Sequence, residues 1–242
     1  MPVMTVGTGR ALIPTGIKYN DKVLATGPIA YWPQSETAGV TAHCLVNPLQ
    51  DGTYTGVTLA NDNTGPFGTG APYYDGTNDY CTILSAALTA AFDGDEASTM
   101  CWLKPFNLGV WTDGAQREPL RLLADANNYL LQYKSAVNNT LEYAYRSGGI
   151  IKGASYAGQV DIGWQQWIVT CSDSGDAMRF YQNAVQPGPV QTVFGPWAGG
   201  LTVALMGAGS AVPQWPWHGW LGPCAIWNRA LPQETITALY NC

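Results

Sequence analysis

The sequence predicts an all-β fold: one antiparallel β-sandwich with an extended N-terminal arm and a short C-terminal helix. Three observations predict it. Glycine and proline are frequent, 28 and 16 of 242 residues, and aromatic residues make up 12%, a composition that favours strands and turns over helices. Short apolar or alternating runs recur along the chain between polar turn clusters, which is the spacing of a sandwich or jelly roll. Hydrophobic residues reach 46% against 12% charged. That supplies a sizeable core and argues against disorder.

Residues 1–27 differ from the rest. Pro2, Gly7, Gly9, Pro14, Gly16 and Gly27 break them up, and their apolar residues follow no period. Such a segment buries too little of itself to fold alone. The expectation is a docking arm, held by its own sandwich or by a neighbouring subunit through strand addition. The sandwich itself is expected over 28–242. Ile29-Ala30-Tyr31-Trp32-Pro33 is its first strand and should pair near the tail. Residues 34–72 read as loop-rich, with Asp51-Gly52, Asn61-Asp62-Asn63 and Gly65-Pro66 as turn signals. The turn Asp75-Gly76-Thr77-Asn78-Asp79, set between tyrosines, reads as a hairpin corner. Residues 84–96 hold a short helical turn and then a polar loop. Strands are expected at 98–105, 119–124, 128–134, 140–146 and 150–155, with polar tips such as Asn138-Asn139 between them. A hairpin follows at 164–172 and 177–183, closed around Ser172–Asp176. After a Pro/Gly-rich connection at 187–200, a strand at 201–206 leads to the tail.

The tail, 216–240, reads as one strand, a break and one helix. Trp217, Gly219, Leu221 and Pro223 fall on one side, and His218, Trp220 and Gly222 on the other. Large side chains on both sides imply a strand covered on both faces. Asn228–Pro232 stops it, and Pro232 suits a first helical turn. Ile236, Leu239 and Tyr240 then form an i, i+3, i+4 apolar stripe. The chain shows no internal repeat and no second domain.

Five of these segments, in order, resemble the laminin-G-like, concanavalin A-like superfamily. The opening strand Ile29–Pro33 is similar to that family's first strand. Tyr73–Ile83 resembles its F-D-G-x-x-D-Y stretch, and Ser98–Pro105 its W-x-K-P strand. Gly163–Gln186 resembles its central hairpin, and Trp227-Asn228-Arg229-Ala230-Leu231 its closing N-R-A-L. The resemblance spans roughly 28–240 and implies a concanavalin A-like jelly roll, without implying one function.

Charge and cysteine usage exclude several classes. With 11 basic against 17 acidic residues, no basic cluster stands ready to displace counterions, so no nucleic-acid partner is expected. No apolar run approaches a membrane span, and no membrane partner is expected. Residues 1–10 lack a basic stretch followed by an apolar one, so export by a signal peptide is not expected. The six cysteines stand at 44, 81, 101, 171, 224 and 242, with no CxxC pair. Cys81, Cys101, Cys171 and Cys224 read as small buried hydrophobes, and free thiols are the default. Cys242 is the exception, a candidate intersubunit thiol.

Three chemistries are open to a sandwich of this kind. Retaining and inverting glycosidases need paired carboxylates, and enzymes of this resemblance carry them as E-x-D-x-x-E on one strand. Here the five glutamates, Glu36, Glu96, Glu118, Glu142 and Glu234, are isolated. No Ser/His/Asp set is built by His43 and His218. No catalytic residue is assigned. Asp93, Asp95 and Glu96 place three carboxylates in one loop, and calcium is the cofactor they could take. Solvated turn carboxylates are the preferred reading, so no metal site is favoured. Trp111, Trp215, Trp217, Trp220, Tyr143 and Tyr145 are the candidate platform for a ligand or partner, with Trp111 and Trp215 in the most loop-like contexts.

The expected function is therefore non-enzymatic: a phage virion surface component, such as a capsid decoration, fibre or tail protein. It would dock on neighbouring subunits, including copies of itself, through 1–27 and present a lectin-like sandwich to surface glycans. The alternative is a free carbohydrate-binding lectin, calcium-dependent or not, and the remote alternative a glycoside hydrolase.

Overall fold

The computed structural model describes residues 16–62, 65–68, 70–212 and 214–242. In chain order its elements are α1 (Gly16–Ala25), β1 (Ala30–Trp32), β2 (Thr41–Ala42), a 3₁₀ turn (Pro48–Gln50), β3 (Gly52–Thr55), β4 (Thr58–Asp62), β5 (Ala71–Asp75), β6 (Tyr80–Thr82), α2 (Ala86–Ala91) and β7 (Glu96–Pro105). There follow α3 (Gly109–Thr112), β8 (Arg117–Asp125), β9 (Asn128–Lys134), β10 (Leu141–Ser147), β11 (Ile150–Tyr156), β12 (Gln165–Ser172), β13 (Ala177–Gln182), β14 (Val203–Met206), β15 (His218–Trp227) and α4 (Gln233–Tyr240).

Two antiparallel sheets face each other. The seven-stranded sheet runs β13-β12-β7-β15-β5-β4, with β1 also paired to β15. The eight-stranded sheet runs β11-β10-β9-β8-β14-β6-β3-β2. The first strand does pair with the tail, Trp32 opposite Cys224. Between the sheets lies a hydrophobic core of Trp32, Tyr74, Leu103, Trp167, Phe180 and Leu221, among others.

The tail strand alternates as its sequence reads only as far as Leu221. A bulge between Leu221 and Cys224 shifts its register against β7, and an inserted residue reverses which side chains face inward. Trp217 and Leu221 therefore share the core with Cys224 and Ile226, while Ala225 and Trp227 turn outward. There they meet a third layer. Tyr19 and Val23 of α1, one helical turn apart, are buried with Ile236 and Leu239 of α4 against Tyr31, Met100, Trp102 and Ile168. Trp227 Nε1 donates to Thr26 Oγ1 at 2.9 Å, tying the end of α1 to the sheet.

Three expectations are corrected. The segment 16–25 is a helix packed on its own sheet, not part of an extended arm, because Tyr19 and Val23 give it one apolar edge; residues 1–15 lie outside the described residues. Residues 34–72 carry β2 to β4 and the start of β5 rather than loops alone. The turn at 75–79 is not a hairpin corner: β5 belongs to the seven-stranded sheet and β6 to the eight-stranded one, so the chain crosses the sandwich there.

Candidate functional site

The two helices cover only one end of the seven-stranded sheet's outer face. Along β7, Met100 and Trp102 lie beneath them, while Lys104, two residues on and on the same face, does not belong to that cluster. At this open end four rings gather: Tyr73 from β5, Phe106 just beyond β7, and His218 and Trp220 from β15. Phe106 lies flat on His218, with centroids 4.7 Å apart and planes 11° off parallel. Tyr73 stands 5.1 Å from Trp220 and 5.9 Å from Phe106. Lys104 Nζ sits 4.8 Å above the Trp220 ring, a cation–π distance. Phe106 is 46% exposed, and Tyr73, His218 and Trp220 are half-buried.

Two glycines let these rings approach. At Gly219, between His218 and Trp220, φ is +145° and an added Cβ would lie 2.1 Å from Lys104 O. At Gly76, φ is +78° and a Cβ would lie 2.7 Å from His218 Cβ. The turn that holds Gly76 is built by carboxylates. Asp75 Oδ1 accepts from Thr77 N–H at 2.7 Å, and Asp79 Oδ2 accepts from Asp75 N–H at 2.8 Å.

Beneath the patch runs a charged network. Arg117 donates to Pro216 O at 2.7 Å and to Asp113 Oδ2 at 2.7 Å. Lys134, whose side chain is fully buried, donates to Asp113 Oδ1 at 2.8 Å and to Ala115 O at 2.8 Å. Burial pushes the Asp113 carboxyl up, but hydrogen bonds from Lys134, Ala115 and Arg117 outweigh it and hold the group below the ordinary carboxylate range. His218 moves down, through burial first and the Arg117 charge second, against the pull of Asp113 and Asp75. Its Nε2 lies 3.2 Å from Tyr73 Oη. The result is a largely aromatic surface with the Lys104 amine against the Trp220 ring.

Only one of the six expected platform residues belongs to this patch, Trp220. Trp111, Trp217, Tyr143 and Tyr145 are at most 1% exposed and are corrected to core residues. Trp111 Nε1 donates to Asp161 O, Tyr145 Oη to Gly94 O, and Tyr143 stacks on Phe180. Trp215 is exposed and pairs with Arg121, whose Cζ lies 5.4 Å from the ring centroid. Phe106, Tyr73, His218 and Lys104 were missed as platform members. His218 shares Trp220's side of the tail strand in the sequence itself, whereas Tyr73, Lys104 and Phe106 come from or follow the neighbouring strands β5 and β7, and finding them requires the strand order.

The carboxylates of Asp93, Asp95 and Glu96 hold turns and neighbouring loops. Asp93 Oδ1 accepts from Asp95 N–H at 2.8 Å, and Asp95 Oδ1 accepts from Trp197 N–H. Glu96 Oε1 accepts from Ser172 Oγ, Ser174 N–H and Ser174 Oγ. Burial opposes these bonds at Glu96, yet they keep it below its ordinary range. Among the described residues no three His, Cys, Asp or Glu side chains stand together as a metal set. Cys242 turns its thiol back on its own helix, 2.9 Å from Ala238 O.

The profile of the Laminin_G_3 family, of the concanavalin A-like lectin/glucanases superfamily, matches residues 75–237. The chain belongs to this superfamily. No match was found among curated protein sequences. Solved structures of the concanavalin A-like fold do align. The receptor binding domain of botulinum neurotoxin C/D mosaic serotype is 11% identical with a TM-score of 0.67, covering 89% of this chain and 51% of that one. Domain 4 of AbnA, an extracellular arabinanase from Geobacillus stearothermophilus in complex with arabinotriose, is 16% identical with a TM-score of 0.63, covering 88% and 98%. The CBM40 of Ruminococcus gnavus IT-sialidase, bound to α2,3 sialyllactose, is 11% identical with a TM-score of 0.50, covering 64% and 86%. The chain thus spans about half the length of the toxin domains it matches. At these identities the likeness is one of concanavalin A-like fold.

Proposed function

We propose that this protein is a non-catalytic carbohydrate-binding domain whose ligand lies on the open end of the outer sheet face. One observation carries the reading: Tyr73, Phe106, His218 and Trp220 form a half-exposed aromatic surface that the helical layer leaves bare. The apolar C–H face of a sugar ring covers such a platform, and the Lys104 amine and the Tyr73 hydroxyl place polar groups at its edge. The arabinotriose complex of the arabinanase domain and the sialyllactose complex of the CBM40 supply precedent on the same fold. Against catalysis, the five glutamates stand singly in the sequence rather than as the paired carboxylates a glycosidase carries.

A glycan array tests the proposal, read with wild type, Trp220→Ala and Phe106→Ala. Losing the burial of one large ring removes about 1.5–3 kcal/mol, hence a tenfold or greater weakening of the array ligand. Melting temperatures should change little, and chelator should leave binding intact. Equal binding by wild type and both variants overturns the site.

Attachment to a virion is the second reading, and with α1 locked on the sheet it rests on residues 1–15. Deleting them should abolish incorporation into particles while glycan binding persists. Incorporation of the deleted chain refutes it.

A further inference from the structure

Cys101 and Cys224 occupy the middle of the seven-stranded sheet, on the neighbouring strands β7 and β15. They are register partners, directly opposite one another. Both stand as free thiols, 0% and 1% exposed, yet Sγ lies only 2.9 Å from Sγ. That is closer than two non-bonded sulfur atoms ordinarily settle. Gln34 holds Cys224 from the other side: its Nε2 donates to Cys224 Sγ at 3.3 Å and to Gly222 O at 2.7 Å. Elsewhere Cys44 faces Gln50 Oε1 and Cys242 faces Ala238 O.

We propose that Cys101 and Cys224 form a cross-strand disulfide. Directly opposed residues of an antiparallel pair have Cα atoms about 4.5–5.5 Å apart, within the roughly 4.4–6.8 Å that a disulfide spans. Closing Sγ–Sγ to about 2.05 Å is then a matter of side-chain rotation. The oxidant is a small-molecule or protein disulfide. One cysteine thiolate attacks it, forms a mixed disulfide and releases one thiol. The second thiolate attacks the mixed disulfide and releases the other. Two thiols have lost two protons and two electrons, and the oxidant has become two thiols. Burial in the folded sheet disfavours the thiolate, so the exchange occurs while β15 docks on β7. Afterwards no reductant reaches the bond until the sheet opens. Because the linked residues lie 123 apart in sequence, the bond restricts a large part of the unfolded chain.

The test uses the full chain, refolded in a glutathione redox buffer and then alkylated in guanidinium without reductant. Four of the six cysteines should take the label, and the mass should fall short by two hydrogens. A proteolytic digest should join the peptide holding Cys101 to that holding Cys224. The native protein should keep the bond in a phosphine reductant that cleaves it after denaturation. The variant carrying Cys101→Ala and Cys224→Ala should label at all four remaining thiols and melt several degrees lower. Six labelled cysteines, or a link between any other pair, overturns the proposal.

Discussion

Asp113 receives two cations, and its removal shows what they do. Lys134 has no exposed side-chain surface. With Asp113→Ala, its ammonium keeps only the Ala115 carbonyl among its contacts named above. Stripping one partner from a buried pair costs about 3–5 kcal/mol, and Asp113 is partly exposed, so we expect about 3 kcal/mol in urea unfolding. Arg117 loses one of its partners and keeps Pro216 O, and glycan affinity should drop in part. His218 gives a pH dependence of defined sign. Its folded value lies below the ordinary 6.5, so on acidification the unfolded chain takes the proton first. Stability is therefore full above 6.5 and declines as pH falls from there to the folded value. Melting curves between roughly pH 5 and 8 should show this slope, and His218→Gln should flatten it in that window. The importance of His218 was not legible in the sequence, where it reads as one more residue of an alternating strand. Trp111 was misread for a related reason: its neighbours Thr112, Asp113 and Gly114 resemble a loop, yet the indole itself points inward to Trp167.

Among the elements, β15 decides both the site and the errors of reading. Its strand character was plain from alternation, and the hairpin read at 164–172 and 177–183 and the strands read between 98 and 155 match the observed elements to within a few residues. Its bulge was marked by Gly222-Pro223, since a proline within a central strand sits at a bulge, but the alternation was carried straight through that pair. The crossing at Asp75–Asp79 was hidden: turn chemistry fixes the bend and not the sheet to which the next strand goes. Helix α1 escaped because ten residues with Gly16, Asn20 and Asp21 have little intrinsic helicity; packing against α4 makes it a helix. Gly219→Ala tests the close approach of β15 to β7. A methyl group 2.1 Å from Lys104 O, at a backbone angle foreign to other residues, should cost about 1–3 kcal/mol. It should also shift the Trp220 fluorescence and weaken glycan binding, since the strands must part where the rings sit. Full stability in this variant refutes that geometry.

For the whole molecule, the two ends of the chain build one layer. Helices α1 and α4 lie side by side over Tyr31, Met100, Trp102, Ala225 and Trp227, and Tyr240 stacks on Trp102 with planes 8° apart. Removing either helix bares the same sheet face, so their contributions are not independent. Deleting residues 1–25 loses the burial of Tyr19 and Val23, about 1.5–3 kcal/mol for each large side chain. Deleting 233–242 loses Ile236, Leu239 and Tyr240 in the same way. The double deletion should therefore destabilise the sandwich by less than the sum of the two single deletions, because the contact between the helices is counted twice. Each single deletion should bind more hydrophobic dye than the intact chain. Deleting 1–15 alone should keep the helical layer and leave dye binding below that of the 1–25 deletion, since Tyr19, Val23 and Thr26 hold α1 on the sheet. If that shorter deletion melts as early as the loss of 1–25, the first fifteen residues are part of the layer, and a role for them in docking elsewhere is refuted.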